Sequence, residues 1–132
     1  MKLIKYVFTL LCLCAVLSLV HANEAQAGTR ALASYYDLSG ATTASGDVLS
    51  RSSWTTAHKT LPFGTEVTAC YSGVCAHNVV VTDRGPYSGG RELDLHIAPA
   101  EAIGLTGVGV GSVRWYVESP GLRDGKDITY VR

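Results

Sequence analysis

The sequence predicts a small all-β domain behind a short apolar leader. Three observations carry that expectation. From residue 28 onward the chain is rich in glycine, threonine and valine, and its short apolar runs are broken by Gly, Ser, Asp or Pro. That is the texture of short strands joined by many turns. Only one stretch of this region, Ala98–Ile103, reads as a helix. The 132 residues suffice for one domain and show no internal repeat.

Lys2 and Lys5 make a basic start, and Tyr6 to Val20 is then an uncharged apolar run of 15 residues. A membrane-spanning helix takes about 20 such residues, so the run suits the apolar region of a secretory signal. Small-x-small cleavage motifs end at Ala22 and at Ala27. The second has alanine at both key positions and is preferred, which makes 1–27 the signal peptide. Cys12 and Cys14 lie inside the run, each directly after a leucine. The sequence therefore predicts no lipid or other stable membrane anchor, and a monomer free in the periplasm or secreted. Cleavage after Ala27 leaves nine Lys or Arg against ten Asp or Glu, a net charge of −1. With no basic stripe, nucleic acid is not an expected partner.

Ala31–Tyr36 reads as the first strand, and the polar stretch Asp37–Ser53 as a long loop, a kind of segment that often carries function. Glu66–Cys70 and Val74–Thr82 read as the arms of a hairpin whose tip uses Gly73 for a positive φ. Val79, Val80 and Val81 suit a strand buried on both faces, and Pro86, which cannot donate to a ladder, ends it. Glu92–Leu95 is a short strand. Gly104 is the expected C-cap of the helix. Val113–Glu118 alternates as a half-buried strand. The domain then spans 28–119, and 120–132 is a polar tail with an edge strand at Ile128–Val131.

Two cysteines remain after the leader, Cys70 and Cys75, one on each hairpin arm. Export exposes them to oxidising conditions, so pairing is expected. A bridge across so short a loop stabilises by about 2 kcal/mol in the chain-entropy model. Adding His77 gives only three ligands, short of a closed zinc set, and no metal or other cofactor is expected.

Three clusters point to chemistry: Thr43-Ala44-Ser45-Gly46-Asp47; Thr56-Ala57-His58-Lys59-Thr60-Leu61-Pro62-Phe63-Gly64-Thr65; and Val79–Tyr87 followed by Gly90–Leu95, containing Asp83-Arg84-Gly85-Pro86. Together with Ala33–Tyr36, in this order and at this spacing, they resemble the signature of the RlpA-like double-psi β-barrel family. The resemblance covers Ala31 to Val117. It implies a six-stranded double-psi barrel with one short helix, an envelope location, and lytic transglycosylase activity on the glycan strands of peptidoglycan. The product would carry 1,6-anhydromuramoyl ends.

Such a cleavage needs a proton for the leaving oxygen and stabilisation of an oxocarbenium-like transition state. A carboxylic acid with a raised pKa can supply the proton. By its match to the family, Asp83 is the expected catalytic carboxyl, with His58 beside it and Asp47 third. Relatives usually carry glutamate at the position of Asp47, so its reach is one methylene shorter here. Arg84 next in sequence would pull the pKa of Asp83 down, the wrong direction for an acid. Arg84, Tyr87, Arg91 and Tyr36 are expected to contact substrate. Asp94 also matches a family position and reads as a structural partner of Arg91 or Arg84. His96 is assigned no role, and His77 reads as an exposed hairpin residue. Two other classes of function fit the same residues: a non-catalytic, expansin-like glycan-binding or wall-loosening module, and a secreted interaction protein. Neither the lipid-anchoring cysteine nor the C-terminal glycan-binding SPOR domain that many relatives carry is visible in this sequence.

Overall fold

The computed structural model describes residues 2–25 and 28–121. The signal-cleavage site after Ala27 and the edge strand at Ile128–Val131 lie outside them. Helix α1 (Lys2–Ala25) holds the apolar run. No helix among the described residues is long and apolar enough to cross a membrane.

Six strands follow: β1 (Thr29–Tyr36), β2 (Thr55–Ala57), β3 (Glu66–Tyr71), β4 (Val74–Asp83), β5 (Arg91–His96) and β6 (Gly111–Ser119). They close into a barrel in the order β1-β5-β2-β4-β3-β6. Two pairs, β1/β5 and β2/β4, are parallel and the rest antiparallel. This is the double-psi arrangement. Closure leaves no free sheet edge to pair with another chain. The domain carries one α-helix, α2 (Ile97–Ile103), packed on β4 and β5 and ended by Gly104 in the left-handed conformation, as its sequence predicts. A 3-10 turn at Leu105–Gly107 was not legible beforehand.

The core is built from Val67, Val79, Val81, Leu93, Leu95, Ile103, Leu105 and Val113, with small alanines filling between them. Val80 departs from the reading of a doubly buried strand. It is only half-buried, because a loop rather than a second layer covers its face. The alternation expected of β6 also fades toward its end: Val113 is buried, Trp115 half-buried and Val117 exposed. Strand β2 was missed, since three residues carry too little periodicity to register.

The hairpin forms as expected. Ser72 and Gly73 both take positive φ in a two-residue turn, the geometry that matches strand twist. Cys70 and Cys75 face each other across the ladder and are disulfide-bonded.

Gly111 opens β6 where there is no room for a side chain. An added Cβ would lie 2.9 Å from Leu105 Cδ1 and 2.9 Å from the Tyr71 ring. Leu105 is fully buried, and Tyr71 packs against the core. Gly111→Ala is expected to destabilise the fold by about 1–3 kcal/mol through overpacking, read as a lower urea midpoint at unchanged m-value. An unchanged midpoint would show that the Leu105 and Tyr71 side chains give way without cost.

Candidate active site on the outer face of the barrel

Ladder register decides which side chains meet. Ser34 pairs with Asp94 on β5, Asp94 with Ala57 on β2, and Ala57 with Asp83 on β4. Directly paired residues point to one face of a sheet. The row Ser34–Asp94–Ala57–Asp83 therefore sits on the face opposite Leu93 and Leu95. Simple alternation would send Asp83 inward with Val79 and Val81. A register shift between Thr56 and Ala57 places one extra residue, Thr82, on β4. A bulge of this kind re-aims the side chains after it, and it turns Asp83 out beside Asp94. The two carboxylate-bearing Cα atoms stand two strands apart, roughly 10 Å, with buried Ala57 on the strand between them.

The long loop of residues 37–53 closes over this row. The Ala44 N–H donates to Asp83 Oδ1 at 3.1 Å, and the Arg84 N–H donates to the same oxygen at 2.9 Å. Ser45 N–H donates to Thr82 O. At the other end of the loop, His96 Nε2 donates to Ser50 O at 2.8 Å. His96 is fully buried, its ring lies 5.4 Å from that of Tyr36, and its Nδ1 has no partner. Sequence gave His96 no role; here it latches the loop and backs Tyr36. The available signal was a histidine in line with Asp94 at the end of an apolar strand.

Burial raises the pKa of Asp94, and the negative charge of Asp83 pushes the same way, against Ser34 and Arg91, which lower it. Ser34 Oγ donates to Asp94 Oδ1 at 2.8 Å. The expected structural partnership thus goes to a serine rather than to Arg91 or Arg84. Burial also drives the Tyr36 phenol upward, with further contributions from Asp83 and Asp94, so it stays protonated at any ordinary pH. Its hydroxyl and that of Thr55 are both buried without a hydrogen-bond partner among the described residues.

His58 is only partly in this group. Its backbone N–H donates to Asp83 O at 3.1 Å, so the two residues share one end of the barrel. Its ring makes no hydrogen bond to the Asp83 carboxylate among the described residues. Nδ1 accepts from the N–H groups of Thr60 (3.1 Å) and Leu61 (3.0 Å), and the ring lies 5.4 Å from that of Trp115. Burial lowers its pKa, and nearby Arg84 and Lys59 act in the same direction against Glu92. The ring is therefore neutral at pH 7, with its proton on Nε2. Because the folded value is depressed, this histidine's contribution to stability is complete above its ordinary pKa of about 6.5 and is lost as pH falls through the folded value. His58→Ala leaves two loop N–H groups without an acceptor and is expected to destabilise by about 1–3 kcal/mol at pH 7. His58→Asn, whose side-chain oxygen can accept in place of Nδ1, should recover most of that loss in thermal melts. Equal losses in both variants would deny the loop-ordering role.

Arg84 is committed elsewhere. It donates to His58 O (3.1 Å) and Leu61 O (2.8 Å), and its guanidinium stacks 3.9 Å over Phe63. It forms no ion pair with Asp83. Asp47 accepts from Ser45 Oγ at 2.8 Å and lines a shallow cleft with Trp54, Thr55 and Val80. Arg91 donates to Ser88 Oγ. Tyr87 is 78% exposed. Among the described residues no cluster of His, Cys, Asp and Glu is arranged to hold a metal.

The fold is a closed double-psi barrel with two neighbouring carboxylate residues on its outer face and a loop folded over them. Residues 28–115 match the family model described as lytic transglycolase, and the chain belongs to that family. It is 45% identical over 101 residues to the endolytic peptidoglycan transglycosylase RlpA of Haemophilus influenzae, covering 70% of this chain and 33% of that protein. It is 44% identical over 88 residues to the probable endolytic peptidoglycan transglycosylase RlpA of Synechocystis, covering 62% and 26%. The chain thus spans about a quarter to a third of these relatives. Among solved structures, the Streptomyces papain inhibitor matches with a TM-score of 0.55 and 23% identity, over 70% of this chain and 96% of that one. At that identity the likeness is one of fold alone.

Proposed function

We propose that this protein is an endolytic peptidoglycan transglycosylase of the cell envelope, reached through an N-terminal export signal in α1. The observation that carries the reading is the carboxylate pair, one member held toward its neutral form and the other held by backbone N–H groups, on a chain of this family.

The sequence favoured Asp83 as the acid; our reading gives that part to Asp94, supported by the burial that raises its pKa. Neutral Asp94 donates its proton to the glycosidic oxygen as the bond to the anomeric carbon breaks. Asp83, fixed by Ala44 and Arg84, offers negative charge to the developing oxocarbenium ion. The sugar's own 6-hydroxyl then attacks the anomeric carbon and gives its proton back to Asp94. The step closes the 1,6-anhydro ring, consumes no water and leaves the enzyme as it began. Tyr36, Tyr87 and Arg91 serve as substrate contacts, and His58 orders the loop that follows it.

Digestion of purified sacculi, intact and amidase-stripped, followed by mass spectrometry tests the reading. Anhydro-muropeptides are the expected product. Ordinary reducing ends would mean a hydrolase, and binding without any released product would mean a wall-binding module.

A further inference from the structure

Trp54 stands one residue before β2 and is 38% exposed. A lone apolar ring at the surface needs no explanation, but this one is fixed in place and grouped with others. Its Nε1–H donates to His77 O at 2.7 Å, and its own carbonyl accepts from the Val80 N–H at 3.1 Å. Both bonds hold the indole to β4. With exposed Val48, buried Leu49, Thr55, Val80 and Asp47 it lines a cleft of about 280 Å³. That cleft lies beside the carboxylate row. Thr55 pairs with Val80 across β2 and β4, as Ala57 pairs with Asp83. Thr55 and Ala57 are two residues apart on one strand and point to the same face, roughly 7 Å from each other at about 3.3 Å per residue. The step from the row to the cleft is therefore comparable with the length of one sugar unit.

We propose that this cleft is a sugar subsite in which Trp54 stacks on an N-acetylglucosamine ring of the strand seated over Asp94 and Asp83. The identity of that strand rests on the proposed function. A pyranose ring has an apolar face of C–H groups and a rim of hydroxyls. The cleft offers an indole, aliphatic walls and a carboxylate at its edge, a lining that suits both parts of such a ring. Charge selects between the two sugars that alternate in the glycan. No Lys or Arg lines the cleft, and its one acidic group is Asp47. N-acetylmuramic acid bears a lactyl side chain, bulky when it carries a peptide and ending in a carboxylate when it does not. Asp47 repels that carboxylate. N-acetylglucosamine is uncharged and compact, and it meets neither obstacle.

The test uses the mature protein and the variants Trp54→Phe and Trp54→Leu. Phenylalanine keeps an aromatic face, and leucine keeps apolar bulk without one. The probe is a hexamer of β-1,4-linked N-acetylglucosamine. It should shift the tryptophan emission of the wild type, and the shift should be absent in both variants, where Trp115 is the only indole left. By calorimetry, Trp54→Phe should keep most of the affinity and Trp54→Leu should lose about tenfold. On solubilised, amidase-stripped glycan, Trp54→Leu should raise KM by about tenfold and leave kcat nearly unchanged, as expected of a contact away from the bond that breaks. Equal affinity in the wild type and Trp54→Leu overturns the proposal. So does an emission shift that persists without Trp54, or a wild type that ignores the hexamer. Equal loss in Trp54→Phe and Trp54→Leu overturns it too, because the hydrogen bond to His77 and not the ring would then be what matters. Hexamer binding that needs Trp54, in a protein releasing no anhydro ends, supports the subsite and refutes only the enzymatic reading. Anhydro release that is indifferent to Trp54→Leu does the reverse.

Discussion

Asp94→Asn is expected to lower the release of anhydro-muropeptides by about 10²–10⁴-fold, the usual contribution of a positioned general acid. Asparagine keeps the size of the side chain and can still accept from Ser34 Oγ, so the loss isolates the proton. The pH dependence gives an independent readout. Burial raises the folded pKa of Asp94 above its ordinary value. The neutral form is therefore favoured in the fold, and this group's stabilising contribution is complete below its unfolded pKa and is lost as pH rises through the folded one. Wild type and Asp94→Asn should melt alike at acidic pH, and the variant should become the more stable of the two above the folded pKa. Wild-type activity should fall across the same interval, because the acid must be protonated to act. A variant that is both inactive and less stable at neutral pH would mean that Asp94 is an architectural residue after all.

Asp83→Asn is expected to cost about 10²–10³-fold in the same assay, the scale of removing one electrostatic contact to a transition state. The amide oxygen can still accept from Ala44 and Arg84, so the loop should stay in place and the melting temperature should change little. Asp83→Ala removes the charge and both acceptor bonds. It should lose at least as much activity and about 1–3 kcal/mol of stability as well, since two N–H groups lose their partner. If Asn and Ala lower activity equally little while Ala destabilises, Asp83 only anchors the loop. If Asn retains full activity, the charge plays no part in the reaction.

The site was partly legible in one dimension. Asp83, His58 and Asp47 stand in clusters whose order and spacing carry the family resemblance; Asp83 lies in the row built here, and His58 is joined to it by a backbone hydrogen bond. What the sequence hid is the division of labour. Asp94 alternates with two buried leucines, and that pattern says only that it faces away from the core. Its raised pKa follows from its burial in the fold and from a second carboxylate, Asp83, brought up by a different strand. Arg84 misled for the opposite reason. Adjacency in sequence suggested a charge partner for Asp83, but the chain turns at Asp83 and sends the guanidinium to the carbonyls of His58 and Leu61. His96 stayed invisible because its partners, Ser50 and Tyr36, lie 46 and 60 residues away in sequence.

By itself the sequence determined the all-β class, the leader's apolar run, the hairpin with its Cys70–Cys75 bridge, the helix ending at Gly104 and the family to which the chain is similar. All of these are written in contiguous residues, because turn chemistry, capping and period-two alternation act over a few positions. Only the tertiary structure decided the strand order, the bulge at Thr82 that turns Asp83 outward, the partner and burial of Asp94, and the meeting of Arg30 with Arg114. Those depend on ladder register between strands far apart in the chain, and a shift of one residue would send each of these side chains to the other face.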